Sequence, residues 1–252
     1  DDGDALGKIK LTPVKVEEFV KYCNTRRKHA IIDNLEFDKT SDGSDNKALK
    51  AAAQKNPRKN QNPAVVAQDC NRVILRGRQQ ESSNDYINAS RLNAEYLDRS
   101  WIVTQGPMDH TVEDFWQMVW QEDTRVIVMT TKEVEKSKVK CANYWPYYDN
   151  IGSYGPFVIK NVEEKETKDY TLREFLISKN KSEERRIYHY HFKAWPDHGV
   201  PSDPGCVLNF LADVTIKQES LEPRPGPIGI VQLFPPKIQN STFPFLLFSR
   251  LF

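Results

Sequence analysis

Asp197 is the first residue in this chain with the setting of a reactive group. It lies in Trp195-Pro196-Asp197-His198-Gly199, a run that turns the chain and can hold one carboxyl at a loop tip. From there an acid passes its proton to a departing oxygen. Taken alone, Pro and Asp followed by Gly describe an ordinary turn. A proton donor implies a nucleophile to serve, and the next apolar stretch with turn residues at both ends is GPIGIVQLFPPK, Gly226–Lys237. That stretch holds no Cys, no His and no Arg. The four cysteines, Cys23, Cys70, Cys141 and Cys206, are scattered, with no C-x-x-C pair and no metal spacing. A reduced, cytosolic chain is the reading they support. His189 and His191 share one strand face in YHYHF, but no third ligand lies near them in sequence. A hydrogen-bonded core pair is therefore expected, with no metal and no cofactor.

The elements that must position these groups are those of a packed protein. Hydrophobic residues make up 38% of the chain, charged residues 28%, and the formal net charge is +1. That is too little positive charge for the basic footprint of a nucleic-acid binder. Five tryptophans, ten tyrosines and twelve phenylalanines argue for a core rather than for disorder. No run reaches the roughly 18 apolar residues that cross a bilayer, and the apolar tail FPFLLFSRLF is short and broken by Pro244 and Arg250. The chain does not begin with Met, and a piece of a longer protein is expected.

Residues 11–37 predict a helix, with Val16, Phe19, Val20 and Cys23 at helical spacing after Thr12-Pro13. Residues 37–68 read as a polar surface loop with one short helix at Lys47–Gln54. The basic clusters at Arg26–Lys28 and Lys55–Lys59 read as solvated faces. From Arg72 onward RVILRG, WIVTQG, RVIVMTT, GPFVIKNV, DYTLREFLIS and IYHYHFKAW predict strands. DHTVEDFWQMVWQEDT predicts an amphipathic helix with Val112, Phe115, Trp116, Val119 and Trp120 on one face, capped by Asp109 or Thr111. A second helix is predicted at Pro204–Lys217. The tryptophans Trp101, Trp116 and Trp145 read as core. The mixture predicts an α+β fold with a mixed, partly antiparallel sheet.

NDYINAS (Asn84–Ser90), TQGP (Thr104–Pro107), DFWQMVW, RVIVMTT, KCANYWP (Lys140–Pro146) and WPDHGVP (Trp195–Pro201) occur in this order. Together they resemble the catalytic domain of the phosphotyrosine-specific protein tyrosine phosphatases. RVIVMTTKEVE, DYTLRE and WPDHGVPSDPG look most like the SH2-domain-containing cytoplasmic members. The resemblance implies a central twisted mixed sheet flanked by helices. It also implies attack on phosphorus by a cysteine thiolate, with water then hydrolysing the phosphocysteine. In such enzymes a loop of N–H groups and a bidentate Arg hold the phosphate and favour the thiolate. A loop Asp protonates the leaving oxygen. The resemblance gives that acid role to Asp197, with Trp195 and Pro196 in its loop. It assigns supporting positions to Glu135 and Lys140, phosphotyrosine proteins as partners, and a cytoplasmic location.

The same resemblance exposes what is missing. The family's nucleophile lies in H-C-x5-R directly after a strand that opens with a phrase such as GPI. Here Pro225–Ile228 supply the phrase and the pattern then stops. Cys206 has Ala212 six residues on. Cys70 and Arg76 fit C-x5-R formally, but CNRVILR has no glycine between them, and Val-Ile-Leu resists the tight turn a phosphate cradle needs. The family's K-N-R-Y stretch corresponds to Lys59-Asn60-Gln61-Asn62, so Asn62 stands where an aromatic wall would stack on phosphotyrosine. The expectation is an N-terminal helical segment and polar loop over 1–68, a partial phosphatase domain over 69–228 and a divergent apolar tail over 229–252. Ile228–Phe234 is expected to supply the central strand, and the domain is expected to be catalytically inactive. Two alternatives stand beside this: a truncated isoform or gene-model fragment of an active cytoplasmic phosphatase in signalling, or a pseudophosphatase scaffold that binds protein partners.

Overall fold

Short apolar runs separated by turn residues build one large sheet, and two amphipathic helices close its faces. The computed structural model describes residues 15–27, 49–77, 85–94, 99–131, 133–135, 138–194 and 203–232. It divides into two units, residues 1–47 and 48–252. In the first, a 3-10 turn at Val16–Glu18 runs into α1, Phe19–Arg27, where the sequence predicts a helix. Val16, Phe19 and Val20 are exposed on it.

The second unit begins with α2, Ala51–Lys55, and a 3-10 turn at Pro57–Lys59. Lys50 before α2 makes no side-chain cap; the carboxylate of Asp69 caps the helix instead. Its Oδ2 accepts from the Ala51 N–H at 2.8 Å and its Oδ1 from the Ala52 N–H at 3.1 Å, satisfying two donors that a helix start leaves open. Residues 49–68 carry the short helix expected there and lie largely at the surface, but they are tied to the sheet. Tyr86 donates its hydroxyl to Asn60 Oδ1 at 2.6 Å, and Asn88 Oδ1 accepts from the Ala67 N–H at 2.9 Å. The polar side chains of this segment and the strand beside it pair with one another, and both lie in the second unit. Asp69→Ala is expected to lower stability by about 1 kcal/mol, seen as a fall of about 3 °C in Tm, with Asp69→Asn keeping part of the effect.

Among the described residues nine strands form the sheet: β1 (Arg72–Ile74), β2 (Tyr86–Ala94), β3 (Arg99–Gln105), β4 (Val126–Met129), β7 (Ile151–Tyr154), β8 (Phe157–Glu166), β9 (Tyr170–Lys179), β10 (Arg185–Phe192) and β11 (Ile228–Gln232). Two short strands, β5 (Val134–Glu135) and β6 (Lys138–Val139), make a separate hairpin. The order across the sheet is β1-β2-β3-β11-β4-β10-β9-β8-β7. The inner four, β3, β11, β4 and β10, run parallel, and the flanks are antiparallel. The expected α+β class and mixed central sheet are therefore present, and IGIVQ is the central strand, buried along its length.

On one face lies α3, Val112–Gln121. The Thr111 hydroxyl, not Asp109, closes its approach by accepting from the Met108 N–H at 3.0 Å. Val112, Phe115, Trp116, Met118 and Val119 pack there with Ile102, Ile127, Met129 and Val231. The other face is covered by α4, Pro204–Glu219. Proline opens α4, and the Asp203 carboxylate accepts from the Gly205 N–H at 2.8 Å. Val207, Phe210, Leu211 and Val214 pack on Trp101, Val103, Val128, Ile228 and Ile230. Among the described residues no helix is long and apolar enough to cross a membrane.

Candidate active site

Because β3, β11, β4 and β10 run parallel, their carboxyl ends at Gln105, Gln232, Met129 and Phe192 share one edge of the sheet. In sheets of this kind ligands bind beyond that edge. Three segments meet there. Gln61 donates its side-chain amide to Lys140 O, and its backbone N–H goes to Gln105 Oε1 at 2.9 Å. Gln105 also accepts from Asn88 Nδ2 at 3.0 Å and donates to Lys59 O at 2.9 Å. Ala142 donates its N–H to Pro107 O at 2.7 Å. Gly106 allows this close approach: a Cβ there would stand 3.0 Å from both Cys141 Cβ and Lys140 O. Lys59, Asn88, Gln105, Thr111 and Asp114 help line a cavity of about 10 Å³, room for roughly one water and far too small for an aryl phosphate.

Asn62 and Lys140 are brought to this edge together, through Gln61. Asn62 is half-buried, and its Oδ1 accepts from the Ala64 N–H at 3.0 Å, a local turn rather than a wall. Lys140 leaves β6 with its N–H on Glu133 O at 2.8 Å. Glu135 lies opposite Lys138 in the β5–β6 hairpin. Trp195, Pro196 and Asp197 lie outside the described residues; the described chain runs to Ala194, past the carboxyl end of β10 at this same edge. Lys59 corrects the sequence reading. It is not on a solvated face: its Nζ sits 3.1 Å from Asp114 Oδ2, and the Asp114 side chain is 3% exposed. Sequence alone gives no role to Gln61 or Gln105. The one signal for Gln105 is an amide ending the apolar run WIVTQ, where a buried polar group must find partners.

The family model described as protein-tyrosine phosphatase matches residues 56–232. The chain belongs to the protein-tyrosine phosphatase family. It is 54% identical over 148 residues to the tyrosine-protein phosphatase corkscrew of Drosophila virilis, covering 57% of this chain and 19% of that protein. It is 50% identical over 115 residues to tyrosine-protein phosphatase 14 of Styela plicata, 45% of this chain and 98% of that one. With tyrosine-protein phosphatase non-receptor type 2 of Rattus norvegicus it shares 42% identity over 178 residues, 69% of this chain and 42% of that protein. The chain thus spans about a fifth of the corkscrew protein's length. The family match ends at Gln232, the last residue of β11.

Within this phosphatase domain none of the described thiols has the surroundings of a nucleophile. Cys141 is buried, and burial, with the Glu133 charge adding to it, pushes its thiol up to about 12. The Cys206 thiol is also raised, by desolvation and then by Asp169 and Asp203, and it donates to Asp203 O at 3.0 Å. Activated thiols need the opposite shift. Cys70 is exposed and leads into β1, which pairs antiparallel with β2. The Cys70–Arg76 run is thus part of a sheet edge, as Val-Ile-Leu requires, and not a cradle.

The histidine pair is a core element of the phosphatase sheet, with one departure from expectation. His191 is held on both nitrogens: Arg173 Nη1 lies 3.3 Å from Nδ1 and Thr131 O lies 2.9 Å from Nε2. Arg173 can only donate, so Nδ1 accepts and Nε2–H donates to Thr131. His189 Nε2 meets the Tyr144 hydroxyl at 2.7 Å, but its buried Nδ1 has no partner. Among the described residues no group of three potential ligands could hold a metal. Burial lowers both histidines, His191 to about 4, with the Arg173 charge acting in the same direction. A folded pKa below the unfolded value of about 6.5 means the unfolded chain binds protons first as pH falls. Stability is then full above about pH 6.5 and declines toward pH 4, by roughly 3 kcal/mol for His191. Urea midpoints at pH 7.5 and 5 should differ accordingly, and His191→Gln should reduce the difference. Equal midpoints at the two pH values count against this assignment.

Proposed function

We propose that this protein tyrosine phosphatase domain keeps the family's sheet and its acid loop but does not turn over phosphotyrosine. The observation that carries the proposal is in the sequence. No H-C-x5-R occurs in the 252 residues, and the chain leaves β11 through Leu-Phe-Pro-Pro. The family reaction passes through a covalent phosphocysteine, so without that nucleophile the path itself is lost, not merely a helpful contact. Asp197 is then a vestigial general acid, with Trp195 and Pro196 shaping its loop and Glu135 and Lys140 at the supporting positions. Asn62 occupies the place of the aromatic wall without supplying a stacking surface. Phosphotyrosine proteins in the cytoplasm are the substrate class and setting of the relatives that the motifs resemble, and we assign the chain to the same setting.

Incubated with p-nitrophenyl phosphate, the chain is expected to release no phenolate above a buffer blank. Saturable turnover that disappears in Asp197→Ala would overturn the proposal, because it would require a working nucleophile served by that acid.

A further inference from the structure

The two edges of the nine-stranded sheet are finished differently. At β1 the glutamines of α3 close the edge: Gln121 Nε2 donates to Ile74 O at 2.8 Å, its Oε1 accepts from the Arg76 N–H at 2.8 Å, and Gln117 Nε2 donates to Arg76 O at 3.0 Å. Along β7 no side chain makes such bonds to the strand's backbone among the described residues; α3 reaches only its far end, where Trp116 packs on Tyr154 and Glu113 lies against the Gly155 turn. Its hairpin with β8 turns through Gly155-Pro156, with Tyr154 opposite Phe157. A two-residue loop makes that closing pair the hydrogen-bonded one. By alternation Ile151 and Ser153 then occupy non-bonded positions, and their N–H and C=O groups point out of the sheet. Natural edges are usually guarded by being short, or by Lys, Pro or a bulge; at four residues β7 is short, but Ile-Gly-Ser-Tyr carries none of the other three.

Beside this edge stands an exposed apolar cluster. Tyr147 is 76% exposed, Tyr148 58% and Ile151 63%. The turn that presents the two tyrosines is fixed. Asp149 N–H donates to Asn161 O at 2.9 Å, Asn150 N–H to Tyr147 O at 3.0 Å, and Asn161 N–H to Asn150 O at 3.1 Å. Asn161 Nδ2 adds a bond to Pro146 O at 3.0 Å. Rigid, exposed aromatic side chains are the kind that anchor protein partners at little entropic cost. Asp149 follows Tyr148 in the same turn, exposed and in no ion pair among the described residues, while Lys160, opposite Ile151, has its charge taken up by Glu184 at 2.6 Å.

We propose that β7 is a docking edge that takes an extended basic and apolar segment of a protein partner as a tenth strand. The partner's backbone would pair with Ile151 and Ser153, its apolar side chains would lie on Tyr147, Tyr148 and Ile151, and a Lys or Arg would face Asp149. A second copy of the chain is the weaker occupant. Self-pairing of a four-residue strand falls well short of the roughly 1,200 Å² that stable dimers bury. Docking at this edge does not depend on whether the domain hydrolyses anything.

The test uses the full chain and a fluorescein-labelled octapeptide, KVRVTVKV, followed by anisotropy. Saturable binding with Kd of about tens of micromolar is expected. Ser153→Pro, which removes one outward N–H at an edge position that tolerates proline, should weaken binding at least about tenfold. So should N-methylation of alternate peptide bonds. Tyr148→Ser, on the exposed turn, gives a second route should Ser153→Pro fail to melt like the parent. The idea fails if the peptide does not saturate, if binding survives both substitutions, or if sedimentation shows self-association that Ile151→Lys abolishes, which would make the occupant another copy.

Discussion

Gly226→Ala is expected to cost more than about 4 kcal/mol and to remove most of the domain's cooperative unfolding transition. A Cβ on Gly226 would collide with Glu122 O and stand 3.0 Å from Glu122 C and 3.2 Å from Asp123 C. All three atoms are backbone, so no rotamer change relieves the clash. Shifting the glycine is also costly, because it is tied on both sides. Its N–H donates to Asp123 O at 3.0 Å, and its carbonyl accepts from Gln218 Nε2 at 2.9 Å. The opposing turn has little room to yield, since Asp123 already sits at φ 52°. Overpacking usually costs about 1–3 kcal/mol, and a collision between main chains belongs in the exceptional range above that. Gly229→Ala is the control. Its Cβ would meet nothing closer than Thr124 Cγ2 at 3.4 Å, and a change within about 1 kcal/mol is expected. Urea midpoints of the two variants decide the matter, and a parent-like midpoint for Gly226→Ala would refute the geometry.

Trp116→Ala should remove about 4 kcal/mol, in the middle of the range for emptying a large aromatic site. Trp116 has no exposed surface. Its ring stands edge-on to Phe115 and Phe175 and tilted against Tyr144 and Tyr154, with centroids between 5.3 and 6.4 Å. Nε1 donates to Tyr144 O at 2.8 Å, so truncation also strands a buried carbonyl. The neighbouring Tyr144 hydroxyl is the partner of His189, and the loss should therefore reach the histidine layer. Trp116→Phe keeps most of the volume and drops the hydrogen bond, and about 1–2 kcal/mol is expected from it. Chemical denaturation of both, with near-ultraviolet circular dichroism to follow the aromatic layer, separates cavity from hydrogen bond. A Trp116→Ala domain as stable as Trp116→Phe would show that the ring fills less of the core than its contacts indicate.

How much of this fold is legible in the sequence depends on the range of the interactions concerned. The strands and α3 are readable because alternation and the spacing of Val112, Phe115, Trp116 and Val119 are local signals. The central position of IGIVQ is readable from the phrase GPI that opens it. Lys59 misleads for the opposite reason: its partner Asp114 lies far along the chain, and a lysine in a basic cluster carries no local mark of burial. The attachment of residues 49–68 is hidden in the same way, since Asp69 serves a helix that precedes it and Asn60 serves Tyr86. A satisfied His189 is the natural expectation for a buried strand. Its lone Nδ1 depends on which side chains crowd the strand from neighbouring elements, and no spacing within YHYHF encodes that.

The position of β11 has a consequence for how the molecule comes together. β3 and β4 both pair with β11 and are not neighbours of one another. Every other described strand of the sheet precedes β11 in the chain. During synthesis the sheet therefore exists as two separate leaves, β1-β2-β3 and β4-β10-β9-β8-β7, each with an open inner edge, until Ile228–Gln232 is available to join them. Closure across such long sequence separation is slow, and open edges invite pairing with other chains. The keystone arrives last.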